Sequence, residues 1–369
     1  MNEPHDHSPQ GEEALPPSQD ENRKERGARH SKSPLHRALN VVLVMLLAAA
    51  AALAGMLWQT MRNSGAIETL PIVTAPAHGA QLTPPPDLEP GEESLDDEPL
   101  AESEPDAYDR TPIYAVAQRD PDVLNILVLG LDTRTRGGAG RSDVNMIVSI
   151  RRSNGSVKLA SVLRDTLVPI EDHGWNRLNA AYLMGGPGRS VNTVNQVLGT
   201  DVQRYVKLDF FTISDIIDAV GGVQVELTKA EVDWLRNDGV NISKGAGLKQ
   251  LDGAKALAYA RIRKLDSDFQ RTQRQRNVMA AALKNLRGMS PVQLAGLLRK
   301  LLPQVRTNIG SGEILTLATS VVSARGQDIE QLTIPVKGSF SFKKYKGMSI
   351  ISADFNKNTQ ALQEFLYGE

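Results

Sequence analysis

Arginine and aspartate are the residue types in this sequence that could do chemistry, and they gather in three clusters beside apolar segments. The first cluster runs from Asp132 to Asp143, with a glycine-rich stretch between the two aspartates. An aspartate ending one buried strand and another starting the next can converge on one point. Two carboxylates, completed by water and substrate phosphate oxygens, are the usual way in which proteins hold Mg²⁺. The pair is compatible with a magnesium site, but taken alone it is more often explained by two turn residues at strand ends.

The second cluster is Arg164 and Asp165, which come directly after another apolar, β-rich segment. This position predicts that Arg164 lies at the same edge of the sheet as Asp132 and Asp143. Open α/β sheets bind their ligands at such an edge. A structural turn made by the Arg164–Asp165 pair is the alternative.

The third cluster places Arg261 and Arg263 before a predicted helix that carries Asp268, Arg271 and Gln275. The last three residues are spaced i, i+3 and i+7, so they share one helix face, and apolar residues continue that face. This continuity favours arginines that point into a cleft over a solvated basic helix. Guanidinium groups bind phosphate bidentately and stay charged when partly desolvated. The arginines of this cluster suit a pyrophosphate.

Several classes of site are excluded by the composition. The chain has no cysteine, which rules out disulfides, a thiolate nucleophile and thiolate metal ligands. It has neither a P-loop nor a G-x-S-x-G motif, and no G-x-G-x-x-G follows the first strand. His173 is the single histidine after residue 110, which rules out paired-histidine zinc sites and weakens a Ser-His-Asp proposal.

The N-terminal part of the chain has the composition of a membrane anchor. Residues 1–37 are polar and predict a disordered cytoplasmic tail. Residues 38–58 carry no formal charge and are long enough for one transmembrane helix. Six basic residues precede this segment and one follows closely, so the positive-inside rule places the remainder outside the cell. A cleaved signal peptide is the alternative.

An acidic linker separates the predicted anchor from a basic domain. Residues 59–109 are rich in proline, and residues 63–109 hold 12 acidic and no basic side chains, which predicts an extended spacer. Residues 110–369 hold 35 basic and 24 acidic side chains. This surplus favours anionic partners, although ordinary solubility charge would also explain it.

Residues 110–369 have the pattern of an α/β domain in the α-β-α arrangement. The predicted strands are 124–130, 144–150, 157–163, 223–227 and 329–336. The predicted helices are 190–198, 211–220, 251–262, 268–286, 291–302 and 311–324. An Asn154-Gly155 turn predicts that the second and third strands form a hairpin. Because strands and helices interleave, we expect a central mixed sheet flanked by helices.

With these clusters and predicted elements in this order along the sequence, the chain resembles the LytR–CpsA–Psr family of cell-wall glycopolymer ligases. The resemblance is strong over about 123–286 and weaker to about 369. The segments that carry it are NILVLGLDTR, GRSDVNMIVSI, KLASVLRDTLVPI, RLNAAYLMGGP, DFFTISDIIDAVGGVQVEL, LDGAKALAYARIRK and DFQRTQRQRNVM.

The resemblance implies an extracytoplasmic phosphotransferase on the cell membrane, with a hydrophobic tunnel between sheet and helices for a lipid tail. It implies transfer of a phosphate-linked glycopolymer, such as teichoic acid or capsule, from a polyprenyl-pyrophosphate carrier to a peptidoglycan sugar hydroxyl. Mg²⁺ would be the cofactor, held by Asp132 and Asp143.

The family pattern also implies roles for the other clustered residues. Those expected to bind the pyrophosphate are Arg141, Arg164, Arg177, Arg261, Arg263, Arg271 and Gln275. Arg177 stands where the family usually has a lysine. Asp268 and Asp165 would support them, and Arg164, Asp143 and Arg271 would be catalytic. Asp165 or Asp143 is the hypothetical base for the acceptor hydroxyl.

Two other functions stay open at this point. A pyrophosphatase that cleaves the lipid carrier would use the same site with water as the acceptor. A non-catalytic, membrane-anchored regulator of the cell envelope would need no pair of metal-binding carboxylates. A nucleic-acid partner is not expected, because the predicted topology puts the basic domain outside the cytoplasm.

Overall fold

The computed structural model describes residues 59, 68, 70–75, 82, 84–93, 111–133, 140–263, 265–324 and 327–368. The predicted tail at 1–37 and the predicted anchor at 38–58 lie outside these residues. Within the described part, no helix is both long and apolar enough to cross a bilayer.

The secondary structure alternates between strands and helices along the described chain. The strands are β1 (Ile72–Val73), β2 (Glu89–Pro90), β3 (Ile113–Tyr114), β4 (Val123–Asp132), β5 (Arg141–Arg151), β6 (Val157–Val162), β7 (Leu167–Ile170), β8 (Gly174–Arg177), β9 (Arg204–Asp209), β10 (Val223–Leu227), β11 (Gly247–Leu251), β12 (Arg306–Thr307), β13 (Glu330–Ile334), β14 (Phe340–Tyr345) and β15 (Met348–Ala353). The helices are α1 (Ala180–Leu198), α2 (Phe210–Ala219), α3 (Lys229–Asn237), α4 (Gly253–Ala260), α5 (Asp268–Gly288), α6 (Pro291–Leu301), α7 (Ser311–Ser323) and α8 (Phe355–Tyr367). A 3-10 turn, Leu302–Gln304, follows α6.

The main sheet has six strands in the order β12-β9-β4-β5-β6-β13. It is mixed: β4 is antiparallel to β5 and parallel to β9, while β6 is antiparallel to β5 and parallel to β13. A second sheet has the order β15-β14-β2, and three strand pairs complete the fold: β1-β3, β7-β8 and β10-β11. The predicted mixed sheet is therefore confirmed.

Helices cover both faces of the main sheet. Leu127, Leu129 and Ile147 project from one face into a core shared with α1 and α8. Ile126 and Val148 project from the other face, towards α2, α5 and α7. We call this second core the apolar layer. Because side chains alternate along a strand, one apolar strand such as β4 contributes to both cores, which explains its nearly continuous apolar sequence.

Ten further apolar side chains pack against the apolar layer and are only partly buried, so this core is not fully closed to solvent. These are Val206, Ile213, Ile216, Leu257, Met279, Ala280, Leu283, Val305, Ile314 and Ile329. They come from the sheet, from α2, α4, α5 and α7, and from nearby loops. Part of the apolar surface of this layer therefore remains accessible to solvent.

Helix starts are fixed by capping side chains, which set the position of the functional residues. The Ser267 side chain accepts a hydrogen bond from the Gln270 amide, so α5 begins at Asp268. This start places Asp268 and Arg271 in the first turn of the helix. The Asp252 carboxylate caps α4 in the same way, and α4 ends just before Arg261. Side-chain oxygens at such positions satisfy amides that lack a partner within the helix.

Some predicted boundaries differ from the observed ones. The helix predicted at 190–198 begins at Ala180, and non-helical backbone at Gly185 and Gly186 interrupts it. The start of the helix predicted at 251–262 is wrong, since Leu251 ends β11 and α4 begins at Gly253. The sequence did not predict helices α3 and α8 or ten of the strands, which are β1, β2, β3, β7, β8, β9, β11, β12, β14 and β15.

Two short pieces of the predicted linker pair with the domain. Strand β1 is parallel to β3, and β2 is antiparallel to β14. The Glu68 carboxylate accepts a hydrogen bond from the Tyr205 hydroxyl at 2.6 Å. These contacts join described parts of the region 59–109 to the sheets, while the predicted domain boundary at 110 stays a prediction.

Candidate functional site

The site begins where three neighbouring strands of the main sheet meet at one edge. Because β5 is antiparallel to both β4 and β6, the ends of β4 and β6 lie beside the start of β5. This register brings together Asp132, Asp143 and Arg164. Gly140 lies so close to Asp132 that a Cβ atom there would be 2.3 Å from the Asp132 carbonyl oxygen. Only glycine lets the chain return to β5 at this distance.

Asp143 is a buried carboxylate on β5, and two arginines neutralise it. Its Oδ2 accepts a hydrogen bond from Arg164 Nη1 at 2.8 Å and another from Arg263 Nη2 at 3.1 Å. The side chain is 6% exposed, as is that of Arg164. A buried charge of this kind requires such partners.

Arg164 connects three carboxylates. Besides Asp143, its Nε lies 3.5 Å from Asp165 Oδ2 and 3.8 Å from Asp268 Oδ1. Burial by itself lowers the pKa of this guanidinium, but the carboxylates outweigh it and raise the pKa above its ordinary value. Arg164 is therefore a fixed cation at the centre of the site.

Arg261 and Arg263 bind Asp132 at the more exposed side of the site. Arg261 Nη2 donates to Asp132 Oδ1 at 2.6 Å, and Arg263 Nη2 lies 3.7 Å from Asp132 Oδ2. The Arg261 guanidinium also stacks over the Phe210 ring, 4.4 Å from its centroid. Since Phe210 belongs to the apolar layer, Arg261 joins that layer to the charged site.

The first turn of α5 adds a buried ion pair between Asp268 and Arg271. The Asp268 amide donates to Glu93 Oε1 at 2.6 Å, so a carboxylate from the region before the domain caps this helix. Burial is the main cause that raises the pKa of Glu93. Arg271 is 3% exposed, and its Nε has no hydrogen-bond partner among the residues that the structure describes.

Arg177 and Asp165 lie on the side of the site that faces β15. Arg177 Nε donates to the Ser349 carbonyl oxygen at 2.9 Å and lies 3.6 Å from Asp165 Oδ1. Burial raises the pKa of the Asp165 carboxyl, an effect that the Arg164 guanidinium opposes. Asp165 is therefore more easily protonated than an aspartate in water.

Nine of the eleven residues predicted for the site form one continuous arginine–aspartate network. Its members are Arg164, Arg177, Arg261, Arg263, Arg271, Asp132, Asp143, Asp165 and Asp268. Five arginines and four aspartates leave one positive charge in excess. Such a network is suited to an anionic ligand.

Two predicted residues are not joined to this network within the described chain. Arg141 is the first residue of β5, and its buried Nε has no hydrogen-bond partner there. Gln275 is half-buried on α5, one turn beyond Arg271, and its side chain makes no hydrogen bond to the described residues. Both lie on elements that carry network residues.

The structure also adds residues that the sequence did not indicate. Glu93 lies in the predicted spacer, where its acidic neighbours gave no sign of a single ordered contact. Phe210 is a core residue, and its ring also lies beneath the Arg261 guanidinium. The Ser349 carbonyl oxygen belongs to a strand that was not predicted. Pairing between distant segments, rather than a local motif, brings these groups to the site.

The carboxylates of the site could supply two ligands to a metal ion, but they do not form a complete set of protein ligands. Among the described residues, no group of three or more His, Cys, Asp or Glu side chains is arranged to hold a metal ion. Asp132 and Asp143, however, both face Arg263 Nη2, at 3.7 and 3.1 Å. Two carboxylates at one point suit Mg²⁺, which takes its remaining ligands from water and phosphate.

Known proteins are similar to this chain in sequence and fold. Regulatory protein MsrR of Staphylococcus aureus is 33% identical over 251 residues, which are 66% of this chain and 74% of MsrR. Polyisoprenyl-teichoic acid–peptidoglycan teichoic acid transferase TagU of Oceanobacillus iheyensis is 34% identical over 216 residues, 56% of this chain and 65% of TagU.

Among solved structures, TagT bound to LIIa-WTA has a TM-score of 0.56 and 25% identity, over 68% of this chain and 94% of TagT. TagV of B. subtilis has a TM-score of 0.54 and 29% identity, over 67% of this chain and 98% of TagV. The model of the LytR_cpsA_psr family matches residues 96–364. Since this match covers well over half of the sequence, the chain belongs to the LytR–CpsA–Psr family.

Proposed function

We propose that this chain is a phosphotransferase that moves a phosphate-linked glycopolymer, teichoic acid or a similar polymer, from a polyprenyl-pyrophosphate carrier to a peptidoglycan sugar hydroxyl. One observation carries the proposal. Arg261 is shared by the arginine–aspartate network, through Asp132 at 2.6 Å, and by the apolar layer, through Phe210 at 4.4 Å. A lipid diphosphate needs this combination of adjoining cationic and apolar surfaces.

The names of two similar proteins support this substrate class. TagU is a polyisoprenyl-teichoic acid–peptidoglycan teichoic acid transferase, and TagT has been solved bound to LIIa-WTA. Sharing their family, this chain is proposed to share the reaction type. The proposed roles of the lipid, the diphosphate and Mg²⁺ are the same for any polymer linked in this way.

The apolar layer is proposed to hold the polyprenyl tail. Its ten partly buried side chains come from the main sheet, from helices α2, α4, α5 and α7, and from nearby loops, and they offer apolar surface to a ligand. Covering such surface with a hydrocarbon chain removes it from water, which stabilises the complex by roughly 25 cal/mol per Å². A tunnel at this place would lead from Phe210 away from the arginines.

The arginines are proposed to bind the diphosphate. Arg261 and Arg263 have the more exposed side chains, 44% and 26%, and can therefore turn from Asp132 to a phosphate oxygen. Arg164 and Arg271 are buried and would act as fixed charges that oppose negative charge developing in the transition state. Arg141, Arg177 and Gln275 are proposed as further contacts.

Mg²⁺ is proposed as the cofactor, with Asp132 and Asp143 as its protein ligands. The half-exposed Asp132 and the buried Asp143 both face the same nitrogen of Arg263, so a cation could be held by these carboxylates once Arg263 turns to a phosphate oxygen. When bound, the ion would supply positive charge next to the diphosphate oxygens.

Asp165 is the stronger candidate for the base. Its carboxyl has a pKa raised by burial, whereas Asp143 already accepts hydrogen bonds from two guanidinium groups. The acceptor hydroxyl would give its proton to Asp165 as its oxygen bonds to the phosphorus that carries the polymer. The bond from that phosphorus to the bridging oxygen breaks, and polyprenyl phosphate leaves with the electron pair.

The proposed location is the cell membrane, with one membrane pass at 38–58, a cytoplasmic N-terminus and an extracytoplasmic domain. Glu93, which contacts α5, follows the predicted anchor by 35 residues. Protease added to intact cells should degrade the domain and leave an N-terminal tag intact, and protection of the domain would contradict this topology.

The proposal is tested with full-length protein in detergent and a polyprenyl-pyrophosphate disaccharide labelled at the sugar-linked phosphate. With Mg²⁺ and peptidoglycan fragments, we expect the label to move to the glycan and polyprenyl phosphate to form. Asp165→Asn should reduce turnover at least tenfold, while the exposed Asp172→Asn serves as the matched control and should not. Unchanged turnover in Asp165→Asn would reject the proposed base.

A regulatory role is the second candidate, favoured by the name of the relative MsrR. The same assay separates the possibilities. Release of labelled sugar phosphate without labelled glycan would indicate a hydrolase. Binding of the labelled lipid without any consumption, in the presence of Mg²⁺ and acceptor, would indicate a regulator that senses the carrier.

A further inference from the structure

Three phenylalanine rings form a continuous strip beside the network. The Phe269 and Phe340 rings stack with their centroids 4.9 Å apart, and Phe342 meets Phe340 edge-on at 5.6 Å. The chain has only seven phenylalanines, and aromatic residues make up 5% of it. Three of the seven phenylalanines therefore meet in this one contact, whereas the two main cores consist mostly of aliphatic side chains and hold one phenylalanine each among their buried residues.

The strip begins at the candidate site. Phe269 is adjacent in sequence to Asp268 and lies in the same first turn of α5. Phe340 and Phe342 lie on β14, whose partner strand β15 carries the Ser349 carbonyl that binds Arg177 at 2.9 Å. Helix α5, which carries Phe269, and the β14–β15 pair, which carries Phe340 and Phe342, therefore both contact the arginine–aspartate network.

The strip ends at a basic hairpin. Alternation along β14 places Lys344 on the same face as Phe340 and Phe342, two residues beyond the last ring. Lys344 is exposed, and Lys346 at the turn is exposed as well. Neither lysine has an ion-pair partner among the described residues. Lys344 lies opposite Glu89 in the register of β14 and β2, and the Lys346 ammonium lies 5.0 Å from the centroid of the Tyr345 ring. An aromatic surface thus leads from the network to two exposed lysines.

All three rings remain partly exposed to solvent. Ring faces bind the apolar C–H faces of sugars, while the edges of the sugar keep their hydroxyls in water. Lysine at the end of such a surface suits a phosphate group on the same chain. A saccharide bearing phosphate matches both parts of this surface better than a lipid or a peptide does.

We propose that Phe269, Phe340 and Phe342 bind the first sugar rings of the glycan attached to the diphosphate, and that Lys344 binds a phosphate farther along that polymer. This inference rests on the proposed function, because the diphosphate must occupy the network for its sugars to reach the strip. It assigns the donor glycan, rather than the lipid or the acceptor, to the β14–β15 hairpin.

The test compares two probes on the full-length protein in detergent: polyprenyl pyrophosphate, and the same lipid carrying a disaccharide. Phe342→Leu keeps apolar volume but removes the ring, and Phe342→Tyr keeps the ring. Phe365→Leu is the matched control, since that ring is also partly exposed but lies on α8. Thermal unfolding of each variant checks that the fold is retained.

We expect Phe342→Leu to weaken the disaccharide probe about 3- to 10-fold, the range for loss of one aromatic contact. The bare lipid should bind as before, and Phe342→Tyr and Phe365→Leu should match the parent protein. Equal weakening of both probes, or no change in either, would overturn the inference. So would weakening of a soluble glycan acceptor alone. Failure of the parent protein to bind either probe would instead refute the proposed function.

Discussion

Replacement of Arg164 by alanine should destabilise the fold as well as the site. The guanidinium is 6% exposed and lies within 4 Å of the carboxylates of Asp143, Asp165 and Asp268. Without it, these carboxylates face one another across a space of low dielectric constant. Arg263 and Arg271 continue to neutralise part of the charge, so the loss is severe but not complete.

The size of the effect follows from the geometry. Two charges 2.8 Å apart, as in the Arg164–Asp143 pair, attract by about 6 kcal/mol at an effective dielectric constant of ~20. Desolvation of the buried ions offsets much of this attraction, and removal of one partner from a buried pair costs about 3–5 kcal/mol. We therefore expect Arg164→Ala to lower the free energy of unfolding by about 3–5 kcal/mol at neutral pH.

The loss should depend on pH with a definite sign. Burial already raises the pKa of Asp165 above its value in the unfolded chain, and Arg164 opposes that rise. Without Arg164 the folded-state pKa rises further, so folding takes up a proton. The stability gained by protonation is present below the unfolded pKa and lost as pH rises through the folded pKa. The variant should therefore lose less stability at pH 5 than at pH 8.

Urea unfolding at the two pH values measures both effects. Arg164→Lys keeps one charge but cannot reach three carboxylates with one ammonium group, so it should fall between the parent and Arg164→Ala. The double variant Arg164→Ala/Asp143→Asn should be more stable than the sum of the single changes predicts, because each removes the other's unpaired charge. A change below about 0.5 kcal/mol in Arg164→Ala would refute the central role of this residue.

Three further outcomes are expected. Asp132→Asn should raise the Mg²⁺ concentration needed for half-maximal transfer with little change in melting temperature, because Asp132 is partly exposed; an unchanged Mg²⁺ requirement would count against its proposed role. Arg274→Met should cost about 3–5 kcal/mol in urea unfolding because Arg274 binds Glu231 in the core, whereas Arg276→Met should be nearly neutral or stabilising. In the described chain, the Arg276 guanidinium hydrogen-bonds only glutamine side chains, and burial lowers its pKa to about 10. Below that pH its charge therefore opposes folding. Equal losses of unfolding free energy in the two variants would contradict this difference. Gly155→Ala should destabilise more than Gly174→Ala, since both have a φ of 69° but only at Gly155 would a Cβ meet the Ser320 carbonyl, at 1.9 Å; equal melting temperatures would disprove this.

The fold could be predicted where one segment determines its own structure. The uninterrupted apolar run of β4 and the start of α5 at Ser267 are examples, because burial on both faces and a capping hydroxyl are local signals. Strand β9, with the sequence RYVKLD, mixes charge and β-forming residues, and its position depends on pairing with β4. The start of α1 was hidden by Gly185-Gly186-Pro187, residues that normally end a helix.

The site could be predicted in its composition but not in its connections. Arginine and aspartate clusters beside apolar segments, and i, i+3 spacing on a helix, indicated eight of the nine residues that the structure joins, while Arg177 was implied by the family resemblance alone. Their pairing could not be derived, since Arg261 could have bound either Asp132 or Asp143. The contact of Glu93 could not be predicted for the same reason. It joins Glu93 to α5 across 175 residues of sequence and depends on the pairing of β2 with β14.

The burial of the network divides it into two parts with different proposed tasks. Arg164, Arg271, Asp143 and Asp268 are each less than 9% exposed, so exchanging their partners would leave a charge unpaired in the interior. Arg261 has water as an alternative partner, and its release from Asp132 costs little. A diphosphate would therefore draw on the outer arginines while the inner pairs keep their geometry. Each outer arginine that moves to phosphate frees carboxylate oxygens of Asp132, so anion and cation binding at this edge should favour one another by the same factor.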